Sequence, residues 1–193
     1  MRRALLAAAA RLLEAHGPAA LSLREVARAT GVSQTAPYRH FADKEALLAA
    51  LAADGFAELL RRMTEAAAGA DAPPERLQAL GRGYVDFALA HPHVFRLMFG
   101  PEIPDRRAHP ALFAAAAAAE AQLGAAIAAC RRGMPRDAAD ERTALVAAWS
   151  LVHGLATLLI GDQFRRTEAT ARTALVDGVT RLFARMLAGS PAG

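Results

Sequence analysis

Cysteine is almost missing. Cys130 stands alone among 193 residues, which excludes an intrachain disulfide and any thiolate metal cluster and makes a reducing cytoplasm the simplest setting. Aromatic side chains make up only 6% of the chain and β-branched ones are sparse, so little is available to build strands. Alanine, leucine and arginine dominate instead and favour helix almost everywhere. Lysine is as scarce as cysteine, since Lys44 is the only one. An all-α fold is expected.

What is present is enough for a sizeable core. Hydrophobic residues are 54% and charged residues 22% of the chain, a balance that excludes disorder and suits one large domain or a small one joined to a medium one. The net charge is +4, carried by arginine and concentrated at the front. Residues 1–50 hold seven cations (Arg2, Arg3, Arg11, Arg24, Arg28, Arg39, Lys44) against four anions (Glu14, Glu25, Asp43, Glu45). Such a balance suits an anionic partner. The opening residues do not read as a signal peptide, because Arg11 and Glu14 interrupt the apolar run and no cleavage-type sequence follows. Residues 143–161 are uncharged and apolar but fall short of the roughly 20 residues that span a bilayer, so a helix buried on two sides is expected and no membrane.

Helix punctuation divides the chain into about nine helices. The first runs from Arg3 to Ala15, stopped by His16, Gly17 and Pro18. The second opens at Ser22, where Ser22 and Glu25 have capping-box spacing, Leu21 and Val26 can staple, and Gly31 closes. The third spans Ser33 to about His40. Asp43 caps a fourth from Lys44 to Ala68. A fifth covers Glu75 to Ala90 with Leu77, Leu80, Tyr84 and Phe87 or Ala88 inward. A short apolar turn, Val94 to Phe99, and an irregular loop, Gly100 to His109, follow. Pro110 opens a seventh to about Arg132, Gly133 to Pro135 separate an eighth from Asp137 to Asp162, and Thr167 caps a ninth to Leu187.

Two short helices joined by Gly31, Val32 and Ser33 match what a DNA-reading helix-turn-helix requires. Glycine permits the sharp turn, Val32 plugs the core, and Ser33 directs the free amides of the third helix toward a groove. Gln34 and Thr35 are short enough to meet base edges, where glutamine pairs with adenine. Tyr38, Arg39, His40 and Lys44 suit phosphates, and Lys44 sits at a helix start whose dipole adds to the attraction. Arg24 can reach the adjoining backbone or a guanine. Arg24 and Arg39 are equally readable as solvated charge.

The stretch from Leu21 to Leu47, with its glycine turn, Tyr38-x-His40-Phe41 and Lys44-Glu45-x-Leu47, resembles the signature of the TetR (tetracycline-repressor-like) family over about residues 3–51. Ala147 to Gly154, with Trp149, His153 and Gly154, resembles the Trp-His-Gly motif of one carboxy-terminal subgroup. The resemblance implies a three-helix DNA-binding domain over 1–48 and a helical ligand-binding and dimerisation domain over 49–193. It puts Gln34, Thr35 and Ala36 on bases and Tyr38, His40 and Lys44 on phosphates. It also implies a dimer that occupies a palindromic operator on double-stranded DNA and is released when a small organic effector moves the fourth helix. Two departures stand out. Pro37 removes an amide from the recognition helix and disfavours helical geometry at Ala36, and only Arg2 and Arg3 remain as a basic arm.

The eighth helix has two apolar faces. Leu145, Trp149, Val152, His153, Ala156 and Ile160 lie on one, and Ala147, Leu151, Gly154, Leu155 and Leu158 on the other. One face can line the core and a ligand cavity, with Tyr84, Phe87, Met98, Phe113, Trp149 and His153 as candidate contacts, though each is also readable as core. The other can meet a second subunit, joined by Leu175, Val179, Leu182, Phe183 and Met186 of the ninth helix. Two-fold symmetry then sets two recognition helices about 34 to 36 Å apart. His91, His93 and His109 near Glu102 and Asp105 fit no familiar zinc spacing, so no metal or cofactor is expected. Cys130 reads as a small buried hydrophobe despite Arg131 and Arg132 beside it. No nucleophile, base and orienting group can be assembled from spacing, so an enzyme is not expected. The alternatives are a helical protein-interaction module and a helical enzyme using His153.

Overall fold

The computed structural model describes residues 1–132, 138–164 and 169–189, and among them there are helices and turns but no strand. The separator expected at Gly133 to Pro135, the helix start expected at Asp137 and the cap expected at Thr167 lie outside the described residues. Eight α-helices are present among those described: α1 Arg2–Ala20, α2 Leu23–Thr30, α3 Lys44–Ala66, α4 Pro73–Ala90, α5 Pro92–Phe99, α6 Pro110–Cys130, α7 Ala138–Ile160 and α8 Ala169–Leu187. Short 3₁₀ turns cover Pro37–Arg39 and Arg106–Ala108.

About nine helices are expected and eight α-helices are present among the described residues, the difference lying at the third. Between Ser33 and His40 there is no α-helix but a turn followed by the Pro37–Arg39 3₁₀ segment. Ala36 keeps right-handed helical angles (φ −60°, ψ −42°), so the expected disturbance is not there. The missing Pro37 amide is the cause, because it removes a rung from any i→i−4 ladder. Shorter bonds replace it: Ala36 N–H donates to the Ser33 carbonyl, Arg39 N–H to that of Ala36 and His40 N–H to that of Pro37.

Other boundaries shift for local reasons. The first helix breaks where expected, at Gly17, which takes φ +73° and ψ 176°, and Pro18, which needs no amide donor there, starts a separate turn to Ala20. α4 likewise opens on Pro73 rather than Glu75. The expected turn at 94–99 is a full helix, α5. α7 begins before residue 143, so Asp140–Ile160 is long and apolar enough to cross a membrane, as is Pro110–Cys130, with less than a third of either buried.

The chain divides into two compact units, Met1–Glu58 with His91–Ala117, and Leu59–Ala90 with Ala118–Gly193. In the first, Leu5, Leu13, Leu21, Val26 and Leu47 are fully buried under α1, α2 and the start of α3. α5 completes it: Gly55 lies so close to Val94 and Met98 that a Cβ there would stand 2.7 and 2.8 Å from their side chains. In the second unit, α4 is central. Leu77, Leu80, Tyr84, Phe87 and Ala88 are all buried along it, as its spacing predicts. Gly83 allows α4 to approach the end of α3 closely, since a Cβ would sit 3.0 Å from the Arg62 carbonyl.

Candidate functional site

The front of the first unit is shaped by bonds between near neighbours. Ser22 takes an extended conformation and its Oγ accepts the Glu25 amide at 3.1 Å, capping α2. The Glu25 carboxylate turns to Arg28 at 3.0 Å rather than back to the cap. Gly31 closes α2 with φ +69°, its amide bonded to the Ala27 and Arg28 carbonyls, a conformation glycine adopts without steric cost. Val32 is only half-buried, so it seals the turn less completely than expected. Pro37 is buried and anchors the segment inward.

That anchoring leaves the polar side chains outside. Arg24, Ser33, Gln34, Thr35, Tyr38, Arg39, His40 and Lys44 are all exposed, with Ala36 half-buried among them. Tyr38 is 50% exposed, a large exposure for an aromatic ring in a turn whose neighbours Pro37 and Phe41 are buried. Ser33 Oγ and Thr35 Oγ1 share a hydrogen bond of 3.2 Å. Asp43 Oδ1 accepts the Ala46 amide at 2.8 Å, fixing the start of α3 where Lys44 stands. Arg24, Arg39 and Lys44 form no ion pair with a described residue. The result is a projecting tip with base-sized polar groups, flanked by uncommitted cations.

Sequence reading missed how α5 is fixed to this unit. Glu14, on α1, accepts two successive amides at the start of α5 through its two oxygens, His93 N–H at 3.2 Å and Val94 N–H at 2.9 Å. No local pattern announces it, because the capping residue lies about eighty positions upstream. The loop expected to be irregular is also ordered: Asp105 accepts the Arg107 and Ala108 amides, and the Arg106 guanidinium donates to the Met98 and Gly100 carbonyls.

In the second unit, three of the six candidate ligand contacts come together. Trp149 Nε1–H donates to Tyr84 Oη at 3.3 Å, and Tyr84 Oη lies 2.9 Å from His153 Nδ1. Indole can only donate, so Tyr84 Oη accepts from Trp149; toward His153 it donates when Nδ1 is bare and accepts when Nδ1 carries the hydrogen. Burial pushes the Tyr84 hydroxyl pKa up and that of His153 down. Both shifts keep the relay uncharged. Trp149 itself is 42% exposed.

Next to Tyr84 lies a small apolar cleft, with a cavity volume of about 20 Å³, lined by residues including Leu80, Gly81, Leu151, Thr180 and Phe183. A Cβ at Gly81 would meet Thr180 at 3.0 Å. Phe87 is fully buried. Met98 and Phe113 belong to the other unit, the first fully buried and the second 56% exposed.

Of the candidate partner contacts, Leu158, Leu182 and Met186 are exposed, Leu151, Gly154, Leu175, Val179 and Phe183 are half-buried, and Leu155 is buried within the chain. Gly154 has open space where a Cβ would point. Cys130 is buried, and burial pushes its thiol up. Among the described residues no group of three metal-ligating side chains converges; His109 instead pairs with Glu45 at 3.2 Å.

Against this geometry the comparisons with known proteins agree. The family described as bacterial regulatory proteins, tetR family, matches residues 5–51, and the tetracyclin repressor-like C-terminal domain matches residues 77–187. An HTH-type transcriptional regulator of Mycobacterium tuberculosis is 31% identical over 97 residues, 49% of this chain and 42% of that protein. The match thus spans less than half the length of that relative. A Rhodococcus protein of unknown function has a similar structure, with a TM-score of 0.83 at 34% identity over 97% of this chain and 95% of that one. The transcriptional regulator FadR of Bacillus subtilis, solved in complex with stearoyl-CoA, has a TM-score of 0.75 over 95% of this chain and 98% of its own. At 16% identity that likeness is one of fold.

Proposed function

The chain belongs to the TetR family of bacterial regulatory proteins, and on that premise we propose that it is a cytoplasmic, dimeric, DNA-binding repressor, not an enzyme or a membrane protein, released from a palindromic operator by a small organic effector. Residues 1–48 read DNA; residues 49–193 bind the effector and a second copy. The observation that carries the reading is the exposed tip, where Gln34, Thr35 and Tyr38 stand exposed together with Arg24, Arg39 and Lys44, cations that form no ion pair with a described residue. Gln34, Thr35 and Ala36 meet bases; Ser33, Tyr38, Arg39, His40 and Lys44 meet phosphates, and Arg24 meets the backbone or a guanine.

The effector is held around Tyr84, Trp149 and His153, where an apolar cleft adjoins a polar relay, the combination that small-molecule sites use. The second copy packs on the exposed stripe of α7 and α8, with Leu158, Leu182 and Met186 at its centre. Effector and operator oppose each other through a coupling of about 1 to 3 kcal/mol.

The test is gel-shift titration on the DNA upstream of the protein's own gene. Retardation at micromolar protein that weakens steeply with added salt is expected. Equal, salt-insensitive affinity for every duplex, or none at all, defeats the reading. Glutamine at position 34 supplies a finer check: Gln34→Ala relaxes discrimination at one base pair, by about 1 to 3 kcal/mol, without changing the salt dependence.

A further inference from the structure

Arg2 makes a contact that the reading so far leaves unused. It begins α1 and is exposed, yet its guanidinium lies over the Phe41 ring, 5.4 Å from the centroid. Phe41 is itself 97% buried, being 3% exposed, so the ring is a fixed platform. The ring of His40, one residue earlier, stands 6.5 Å from that of Phe41 in an edge arrangement. Guanidinium and imidazole therefore share the same phenyl neighbour beside the exposed tip.

Stacking of this kind orients a guanidinium without consuming its donors, because the attraction acts through the face of the planar cation. The N–H groups around the rim of the fork stay available to oxygen acceptors, and Arg2 forms no ion pair with a described residue. Arg3, its neighbour, has the same charge and is also exposed, but takes part in no ring contact with a described residue. One arginine is placed and the next is only nearby.

We propose that Arg2, held by the Phe41 ring, is a DNA phosphate contact that extends the interface from His40 to the first turn of α1. The inference rests on the proposed DNA-binding function. Consecutive phosphates of a strand advance by about 3.4 Å along the duplex axis, so a guanidinium and an imidazole that share one phenyl neighbour can serve phosphates of the same strand. Arg2 carries no sequence information in this role; it fixes register and adds to the salt-dependent part of affinity.

The experiment compares the full chain with Arg2→Ala and Arg3→Ala, measuring binding to the upstream duplex and to an unrelated one across a salt series. Arg2→Ala is expected to weaken binding equally on both duplexes and to reduce the slope of log affinity against log salt by about one per subunit. Arg3→Ala should leave the slope unchanged. Phe41→Leu, confirmed folded by circular dichroism, should reproduce the Arg2→Ala loss, and the double variant should lose no more than either single one. Equal slopes for the Arg2 and Arg3 variants, or full affinity without Arg2, overturn the contact while leaving DNA binding intact. Absence of DNA binding by the unaltered chain overturns both, so the two failures are told apart. Should Phe41→Leu fail to fold, the Arg2 and Arg3 comparison decides alone.

Discussion

The two units of this molecule differ in the contacts that shape each from within. At the tip of the first, the bonds that set the shape join residues three positions apart: Ser22 with Glu25 and Asp43 with Ala46. In the second, Tyr84 reaches 69 positions to His153, Arg82 reaches 95 to Asp177 and Gln122 reaches 58 to Thr64. A short stretch of chain can therefore specify a reading tip by itself, while a sensor cleft exists only when distant segments have already packed. The same contrast makes the tip intolerant of local change and leaves the cleft open to revision by single side chains.

The sharpest way to break the contrast is in the core of the second unit. Phe87 is 1% exposed, so Phe87→Ala should cost about 3 to 5 kcal/mol in urea unfolding. Phe113→Ala, at 56% exposure, should stay within about 0.5 kcal/mol. Both residues were singled out for the same ligand role from sequence, and the stability gap between them separates a core position from a surface one. Equal costs would mean that Phe113 is covered in solution. Next in size is Tyr84→Phe, which removes the hydroxyl that accepts from Trp149 and shares a hydrogen bond with His153. A loss of about 1 to 3 kcal/mol is expected, with a shift in Trp149 fluorescence as its optical signature. An unchanged spectrum would remove Tyr84 from the relay.

What could be read in advance follows the same division. Capping at Ser22, the glycine closure at Gly31, the Asp43 cap and the inward stripe of α4 were all legible, because each is written in residues within a turn or two of one another. The 3₁₀ form of the Pro37 segment was half legible: proline announced a disturbance, but not that Ala36 would keep helical angles while the ladder shortened. The Glu14 cap on α5 and the meeting of Tyr84 with Trp149 and His153 were not predictable as contacts, since nothing local encodes a partner about seventy or eighty residues away. Trp149 and His153 could be placed together on one helix face by spacing alone, and Tyr84 on an inward stripe; their hydrogen bonds needed the packed helices.

Glu14 tests whether a long-range contact can behave like a local cap. Both of its oxygens receive α5 amides, so Glu14→Ala should cost about 0.5 to 2 kcal/mol, the range of an ordinary helix cap. Faster hydrogen exchange at the Val94 amide should accompany the loss, with exchange on α2 unchanged. A change spread over α2 as well would show that α5 supports the reading tip, and would bring the two kinds of contact under one cooperative unit.

The smallest effect expected is that of acid on His153, and its sign follows from the relay. Burial lowers its pKa from the ordinary value near 6.5, so the folded chain prefers the neutral ring and the unfolded chain binds the extra proton first. Stability from this group is complete above about pH 6.5 and is lost as the pH falls toward the lowered folded value. A protonated imidazole can only donate, so the Tyr84 hydroxyl then accepts from both Trp149 and His153. His153→Phe, which cannot titrate, should therefore show a smaller fall in urea midpoint than the unaltered chain between neutral pH and about pH 5.5. The other five histidines are common to both proteins, and the difference between the two curves isolates this one. Parallel curves would mean that His153 takes up its proton equally in both states, and that the second unit holds its relay no more tightly than solvent would.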